Sequence, residues 1–270
     1  MRASILAAVG LDLNLIVPKL LEENITVRGL AHPLLFQNGI NDELDGRQPG
    51  LTADTASQQG PNNAALFRRF GAVQVTPRNY YRLMESGQNV LLFPGGVREV
   101  FHGRDEAYQL FWPEKVDFVR TAARFNATIV PLSAVGMADS VNMLLEPSQV
   151  TELPFVGDRA KAFAANVTAA RFDTDNQDEN FLPPIVAPSL PARNYFVFGK
   201  AVNTKSLDPK DKDSCQAVYL ELQKEIERGF EDILNAREND PFKDTPRRLL
   251  YERITGRKAP TFNMKLVNKT

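Results

Sequence analysis

The sequence predicts a mixed α/β fold in which a largely parallel central sheet is flanked by helices. Two features of the hydrophobic pattern lead to this prediction. Short apolar runs of the β type alternate along the chain with segments of helical periodicity, as in layered α/β proteins. Residues 90–93 (VLLF) are apolar at every position. Strands of this kind are buried on both faces, as in the middle of a helix-covered sheet.

The individual elements follow from the same periodicities. β-branched, aliphatic and aromatic runs predict strands over residues 25–28, 71–75, 89–93, 128–132 and 195–198. Helical patterns cover residues 79–86, 114–125 and 214–235. Asp213 is placed to cap the last helix, because its carboxylate can accept hydrogen bonds from amides of the first turn.

The N-terminal segment, residues 1–23, combines one arginine with a short apolar stretch and small residues, which resembles a signal peptide. Its apolar period continues, however, through Leu11, Leu15 and Leu20, and acidic residues end it. We therefore predict a folded amphipathic helix in this segment.

Two segments interrupt the alternation of strands and helices. Residues 37–63 are polar, contain four glycines and two prolines, and are too long for an ordinary connection, so they predict a surface insertion. Residues 182–193 contain four prolines and predict a stiff surface connector. The strand predicted beyond the connector needs partners in the sheet. Residues 1–270 are therefore expected to form a single domain.

Composition limits the classes of function. The net charge is −1 and the isoelectric point about 6.2, so no excess of positive charge indicates a nucleic-acid partner. A lone cysteine, Cys215, excludes an intrachain disulfide and favours a reducing compartment. No run approaches the roughly 20 apolar residues that cross a bilayer as a helix.

The stretch NVLLFPGGVREV, residues 89–100, carries the main functional signal. Its apolar strand ends in a proline and in Gly95 and Gly96, where open α/β sheets keep their ligand sites. Glycines let a ligand approach the backbone, and Arg98 adds a planar fork of donors suited to phosphate, carboxylate or an oxyanion. Glu99 is placed to orient that guanidinium or a substrate hydroxyl. The alternative is a tight turn with a surface ion pair, since no phosphate-loop or GxGxxG pattern is completed.

LLFPGGVRE resembles the arginine motif of the glycerolipid acyltransferases, usually Phe-Pro-Glu-Gly-Thr-Arg, and the Gly-Gly-x-x-Glu motif of diacylglycerol acyltransferases. Residues 101–136 are more similar still to the acyltransferase half of the phytyl ester synthase family of plants and algae. Further matching text follows in the same order over residues 28–36, 68–84, 195–204 and 238–256. The resemblance covers most of the chain apart from the two interrupting segments.

The resemblance implies a glycerolipid acyltransferase-like fold and transfer of a fatty acyl group to diacylglycerol or phytol. The implied donor is acyl-CoA, acyl carrier protein or a galactolipid, with no metal or redox cofactor. It also implies contact with a membrane surface, lipid droplet or plastoglobule, in a plastid or otherwise at the cytoplasmic face of a membrane. Family members bind the phosphate or pantetheine of the donor with basic residues like Arg98. The Gly95-Gly96 pair removes a carboxylate that elsewhere holds a glycerol-phosphate acceptor, which favours a neutral alcohol.

The family's catalytic base comes from a His-x4-Asp type motif, and here the chain departs from the pattern. Residues 10–12 (GLD) resemble the end of that motif, but residues 3–9 contain no histidine. The chain therefore resembles a family member truncated at its N-terminus, with Asp12 as the orienting carboxylate. His32 is the alternative base, although Gln37 rather than an aspartate lies five residues beyond it. A catalytically inactive lipid-binding protein that retains the fold stays open as a second interpretation.

Four further features have two interpretations each. Arg78 occupies a position where the superfamily often places an acceptor-binding arginine, and is otherwise an exposed cation at a helix start. His102 is either a ligand contact or a hydrogen-bonded loop residue. Trp112 lines an acyl channel or belongs to the core. Residues 243–265 hold seven basic and two acidic residues with an apolar face. They predict a helix on an anionic lipid surface or one packed on the domain.

Overall fold

The computed structural model describes residues 4–8, 22–32, 71–100, 102–114, 117–154, 156–166, 184–190 and 192–261. Its strands are β1 Ser4–Ala8, β2 Val27–Ala31, β3 Val73–Gln74, β4 Asn89–Leu92, β5 Thr128–Val135, β6 Val141–Leu145, β7 Ile185–Pro188, β8 Tyr195–Phe198 and β9 Val202–Asn203. Its helices are α1 Pro77–Glu85, α2 Gly96–Val100, α3 Asp117–Arg124, α4 Pro147–Glu152, α5 Gly157–Asn166, α6 Lys212–Glu238 and α7 Thr245–Thr255, with a 3₁₀ turn over Ala138–Ser140. The mixed α/β prediction is confirmed.

The main sheet has the strand order β3-β2-β4-β1-β5-β8, and β9 also pairs with β5. Strand β1 pairs in parallel with β4 and β5, and β2 pairs in parallel with β3 and β4. Strands β8 and β9 pair antiparallel with β5. Because β1 to β5 run in the same direction, their C-terminal ends meet at one side of the sheet, which we call the carboxyl edge.

Strand β4 is buried on both faces, as its uniformly apolar sequence predicts. Val90 and Leu92 belong to a large cluster formed with the helices, whereas Leu91 belongs to a second cluster on the other side of the sheet. Neither Val90 nor Leu91 has solvent-accessible surface. The strand therefore presents little more than its C-terminal end to solvent, and any ligand of β4 has to bind there.

The N-terminal helix prediction is wrong over Ser4–Ala8, which forms strand β1 between β4 and β5. Ser4 is in register with Asn89 on one side and with Thr128 on the other. A short apolar run shows no polar and apolar alternation of either the strand or the helix period. Its pattern therefore cannot tell a buried strand from a buried helix. Residues 9–21 lie outside the described residues.

The remaining predicted strands and helices are present, with ends that differ by at most three residues. The predicted cap of α6 is wrong by two positions. Asp211 caps the helix, and its Oδ1 accepts hydrogen bonds from the amides of Asp213 at 3.1 Å and Ser214 at 3.2 Å. The helix starts earlier than the apolar periodicity indicates because its first turn, at Lys212 and Asp213, is exposed and polar.

The predicted connector, residues 182–193, contains strand β7, which pairs antiparallel with β6 in a separate two-stranded sheet. Pro184 precedes this strand and Pro188 ends it, positions where proline does not break a ladder. The predicted insertion, residues 37–63, lies outside the described residues. Within the described ranges, no helix combines the length and the apolar character that crossing a bilayer requires.

We predict that Gly229→Ala destabilises the protein, although alanine favours an isolated helix by about 0.5–1 kcal/mol. A β-carbon at Gly229 would overlap Ser133 Oγ, which donates a hydrogen bond to the carbonyl of Ile226 at 2.9 Å. Helix α6 would then have to move away from β5, and such overpacking costs about 1–3 kcal/mol. Denaturant unfolding of the variant measures the loss.

The matched control for this prediction is the double variant Ser133→Gly/Gly229→Ala. Removing the serine side chain opens the space that the new methyl group needs. The double variant should therefore be more stable than the sum of the two single changes implies. A rise in the melting temperature of Gly229→Ala alone contradicts the close packing of α6 on β5.

Candidate functional site

The carboxyl edge brings together most of the residues that the sequence singled out. His32 follows β2, and Gly95 and Gly96 follow β4, the strand next to it. Arg78 lies exposed in the first turn of α1, which begins three residues after β3. Asp12, the predicted orienting carboxylate, lies outside the described residues. The topology thus places four predicted site residues at the ends of three adjacent strands.

Gly95 and Glu99 form a packed pair at the end of β4. A β-carbon at Gly95 would overlap the carboxyl group of Glu99, which is 6% exposed. The Gly-Gly-x-x-Glu spacing is therefore a packing requirement, because the glutamate lies against the backbone of the first glycine. Gly95 has no side chain, but the carboxyl group of Glu99 occupies the space beside it.

Gly96 has a different requirement. Its φ of 56° lies in the left-handed region, and no described residue beyond its chain neighbours and its own helix comes within 4 Å of the position that a β-carbon would take. The residue makes the turn from β4 into α2. Any side chain here would be disfavoured by backbone conformation and not by contact.

Glu99 also holds the loop that follows α2, residues 102–114. Its Oε1 accepts a hydrogen bond from the amide of Phe111 at 3.1 Å. Its carbonyl oxygen lies 2.9 Å from His102 Nδ1. A carbonyl can only accept, so Nδ1 carries the proton and the neutral ring keeps its lone pair on Nε2. His102 is half-buried.

Arg98 binds Glu106, a partner that the sequence did not indicate. Its two terminal nitrogens donate to the two carboxylate oxygens, each at 2.7 Å. The guanidinium also lies over the ring of Phe111, 3.8 Å from its centre. Glu106 receives a further bond from the amide of Gly103 at 2.6 Å. In sequence, Glu106 is one of two adjacent acids in a polar run, and no local pattern distinguishes it.

The hydrogen bonds from Arg98 and then from Gly103 lower the pKa of Glu106 to about 2. Both residues of the pair are partly exposed, by 29% for the arginine side chain and 34% for the glutamate. Exposed ion pairs are weak because water competes with them.

Tyr108 joins the same loop to the end of β5. Its hydroxyl accepts from the amide of Gly136 at 3.2 Å and donates to Asp139 Oδ2 at 2.7 Å. Burial, and then the bond to Asp139, raises the pKa of Tyr108 well above its usual value. Asp139 also receives a hydrogen bond from Arg237 at the end of α6. The loop is thus tied to both β5 and α6.

Trp112 belongs to the core and does not line a channel. It is 9% exposed and packs against Phe118 and Tyr219, with ring centres 5.6 Å and 5.4 Å away. Its neighbour Phe111 carries the guanidinium of Arg98 instead. Among the residues that the structure describes, no group of three or more His, Cys, Asp or Glu side chains is arranged to hold a metal ion.

Residues 39–163 match the family model described as diacylglycerol acyltransferase, a match that begins inside the polar segment 37–63. The chain is 34% identical over 257 residues to phytyl ester synthase 2, chloroplastic, of Arabidopsis thaliana, covering 93% of this chain and 34% of that protein. It is 35% identical over 249 residues to phytyl ester synthase 1, chloroplastic, of the same plant, covering 89% and 33%.

These matches confirm the resemblance to phytyl ester synthases and diacylglycerol acyltransferases that the motifs indicate. The chain spans about a third of the length of the curated relatives it matches. No solved structure matches this chain. The resemblance therefore rests on sequence. The structure adds the contacts that the motif residues make at the carboxyl edge.

We predict that Glu106→Gln lowers the free energy of unfolding at pH 7 by at most about 1 kcal/mol, as for other partly exposed ion pairs. A carboxylate whose pKa folding lowers stabilises the native state above its unfolded pKa. That contribution is lost as the pH falls through the range between the unfolded value of 4.5 and the folded value of about 2. The difference between wild type and variant should therefore shrink as the pH falls from 5 to 2, measured by denaturant unfolding.

The matched control for this prediction is Asp105→Asn, a change of the adjacent exposed acid. Its difference from wild type should stay small, and it should not follow the pH profile of the Glu106 variant. A difference between wild type and Glu106→Gln that stays constant down to pH 2 contradicts a lowered pKa at Glu106.

Proposed function

We propose that this chain, which belongs with the phytyl ester synthases and diacylglycerol acyltransferases, transfers a fatty acyl group to a lipid alcohol. The acceptor is diacylglycerol or phytol, and the product is triacylglycerol or a fatty acid phytyl ester. The observation that carries the proposal is the similarity to phytyl ester synthases over most of the chain. The glycerolipid acyltransferase-like fold over residues 1–270, with its largely parallel central sheet, and a plastid location are part of the same proposal.

The reaction sets three requirements for the site. The oxygen of the alcohol attacks the acyl carbonyl carbon while a base takes its proton, and the carbonyl oxygen becomes negatively charged. The bond from the carbonyl carbon to the sulfur or oxygen of the acyl donor then breaks, and the base passes the proton that it took from the alcohol to the leaving group. The site therefore needs a base, hydrogen-bond donors for the oxyanion and a place for the head group of the acyl donor.

We assign the role of base to His32, with Asp12 as the carboxylate that orients it. His32 follows β2, which pairs with β4, so it lies at the strand end next to Gly95 and Gly96. Among the described residues, the side of Gly96 where a β-carbon would stand is unoccupied, and we place the acyl carbonyl there, near the backbone. His102 is assigned to substrate binding, and its Nε2 is available to accept a hydrogen bond when the ring is neutral.

We assign Arg98 to the acyl donor. Its planar fork of hydrogen-bond donors suits the phosphates of coenzyme A or of acyl carrier protein, as it suits the carboxylate of Glu106. Binding then requires the donor to replace Glu106 on the guanidinium. A galactolipid has no phosphate, and with such a donor Arg98 would act by positioning the loop of residues 102–114.

The acceptor is proposed to be uncharged. Gly95 stands where the superfamily motif usually has the glutamate that helps to hold a glycerol-phosphate acceptor, and Oε1 of the neighbouring Glu99 is bound to the amide of Phe111 instead. Arg78, at the exposed start of α1, is assigned to the acceptor side of the site. A neutral alcohol such as phytol or diacylglycerol fits this arrangement better than glycerol phosphate does.

The second candidate function is a catalytically inactive lipid-binding protein with the same fold. The observation that favours it is the segment before Asp12, which contains no histidine and in which residues 4–8 form a sheet strand. In that case the chain would bind acyl lipids without forming an ester. The proposals differ in product formation, and both predict that the chain binds lipid.

Expression in a host without its own neutral-lipid synthases tests the proposed function. We expect triacylglycerol or, with added phytol, phytyl ester in the neutral lipids, and at least about 100-fold less product from His32→Ala, as for loss of a general base. His102→Ala is the matched histidine control and should retain more activity. Full activity of His32→Ala contradicts its assignment. Lipid binding without any ester favours the inactive protein.

We predict opposite effects on the Michaelis constant for an acyl-CoA donor from the two members of the Arg98–Glu106 pair. Arg98→Ala should raise KM about tenfold or more, because a charge-assisted bond to the donor is lost. Glu106→Gln should lower KM, because the guanidinium no longer has to release a carboxylate. Steady-state kinetics measures both constants.

Arg104→Ala is the matched control for these kinetics. Arg104 lies exposed in the same loop and donates to the carbonyl of Met143 at 3.4 Å, so its loss should leave the donor KM unchanged. If Arg98→Ala and Glu106→Gln both reduce activity to the same extent and leave KM unchanged, the pair serves the structure of the loop and not the donor.

A further inference from the structure

We propose that helix α7 docks this protein on an anionic lipid surface with the side that faces solvent. This proposal rests on the proposed function, because a lipid substrate is the reason for the protein to meet a lipid surface. It adds the element that makes the contact.

Helix α7 exposes large aliphatic side chains. Leu249 is 53% exposed, Leu250 59% and Ile254 74%. Within Thr245–Thr255, only Thr245 is buried. An eleven-residue helix gains little stability on its own and normally depends on a buried apolar face. Here Leu250 and Ile254 face away from the other described residues, and we infer that a partner surface covers them.

The charges on the exposed side of α7 are positive. Leu250 and Ile254 are one turn apart, and the exposed Arg247 and Arg253 lie within one turn of them on either side. The exposed Arg257 and Lys258 follow the helix. Aliphatic side chains surrounded by arginine and lysine match the acyl chains and anionic head groups of a lipid surface.

The single acidic residue of α7, Glu252, does not face the proposed surface. Its Oε1 accepts a hydrogen bond from the amide of Ala259 at 3.0 Å, in the chain that folds back beneath the helix. Tyr251 lies about 100° around the helix from Leu250, and its ring packs on Phe242, with ring centres 4.7 Å apart. The helix therefore separates a side that holds it to the protein from a cationic, aliphatic side.

The attachment of α7 places it beside the carboxyl edge. Arg193 donates to the carbonyls of Ala259 at 3.0 Å and Pro260 at 2.9 Å, and it pairs with the buried Asp240. Asp240 accepts from the hydroxyl of Tyr195 at 2.7 Å. Tyr195 opens β8 and is in register with Val135, the last residue of β5. The docking helix and the candidate site thus share one side of the sheet.

Exposed aliphatic side chains also lie near the same edge, on both faces of the two-stranded sheet of β6 and β7. Four large aliphatic side chains in and beside it are more than a third exposed, namely Leu144, Ile185, Val186 and Leu190. Ser189 Oγ donates to the carbonyl of Asp139 at 2.8 Å, and Asp139 also binds Arg237 of α6. This sheet would lie on the lipid surface together with α7 and bring the site to the interface.

Vesicle co-flotation of the full chain tests the proposal, with phosphatidylcholine vesicles prepared with and without phosphatidylglycerol. We expect binding to the anionic vesicles that weakens at high salt. Leu250→Glu/Ile254→Glu should reduce it about tenfold or more, because both side chains lose apolar burial. Arg247→Gln/Arg253→Gln should reduce it about fivefold for each arginine, and only on anionic vesicles.

Matched changes on α6 are the controls. Leu220 is 45% exposed, and Lys224 lies exposed one turn further along. Leu220→Glu and Lys224→Gln should leave vesicle binding within about twofold of wild type. This change is smaller than the roughly fivefold effect expected for one arginine of α7. If they reduce binding as much as the α7 variants do, the attraction is general and the assignment to α7 is wrong.

Three other results overturn the proposal. One is unchanged vesicle binding by both α7 double variants. Another is a marked fall in the melting temperature of Leu250→Glu/Ile254→Glu without lipid, which means that a segment of this chain, such as residues 262–270, covers the helix. The third is a dimer of the wild type that becomes a monomer in that variant, which means that a second copy covers it.

Docking and catalysis can fail separately in these experiments. Vesicle binding is measured without any acyl donor, so it tests α7 even if the chain forms no ester. Where the chain is active, Leu250→Glu/Ile254→Glu should lose activity on vesicle-borne acceptor and keep it on acceptor dispersed in detergent. Equal loss in both assays indicates damage to the site and contradicts a docking role.

Discussion

The buried contact between Glu99 and Gly95 is the constraint on which the candidate site depends. A carboxylate that is 6% exposed is costly to bury without hydrogen bonds, and the amide of Phe111 supplies one. To reach that amide, the side chain must cross the backbone of Gly95, which only glycine allows. One glutamate thereby fixes the turn after β4 and the start of the loop of residues 102–114.

The other contacts of this loop extend the same arrangement to neighbouring elements. Arg98 and Glu106 close it near the turn, and Tyr108 fastens it to Gly136 and Asp139 beyond β5. Asp139 in turn binds Arg237 at the end of α6. The carboxyl edge is therefore held by polar contacts among a loop, a strand end and a long helix, while the apolar clusters on both sides of the sheet support it from below.

This organisation suits chemistry on a lipid. The strand ends offer backbone, a guanidinium and imidazole groups, which are the kinds of group that acyl transfer uses. The exposed aliphatic residues of α7 and of the β6–β7 sheet are joined to the same edge through Asp240 and Asp139. Under the proposed function, a site and apolar side chains at one edge of the sheet would let a substrate pass from a lipid layer to the reacting groups without crossing water.

Local periodicity and a contiguous motif were enough to predict the mixed α/β class, the burial of β4, the glycine turn, most element positions and the resemblance to phytyl ester synthases and diacylglycerol acyltransferases. They did not distinguish β1 from a helix, since a five-residue segment with four apolar positions has no decisive period. Nor did they indicate Glu106 as the partner of Arg98, because an acid eight residues away in a polar run is met only once the loop folds back. Only the tertiary structure decided that Trp112 is core and that the aliphatic side of α7 faces outward. Periodicity shows which residues form an apolar face, whereas the partner of that face depends on how the elements pack.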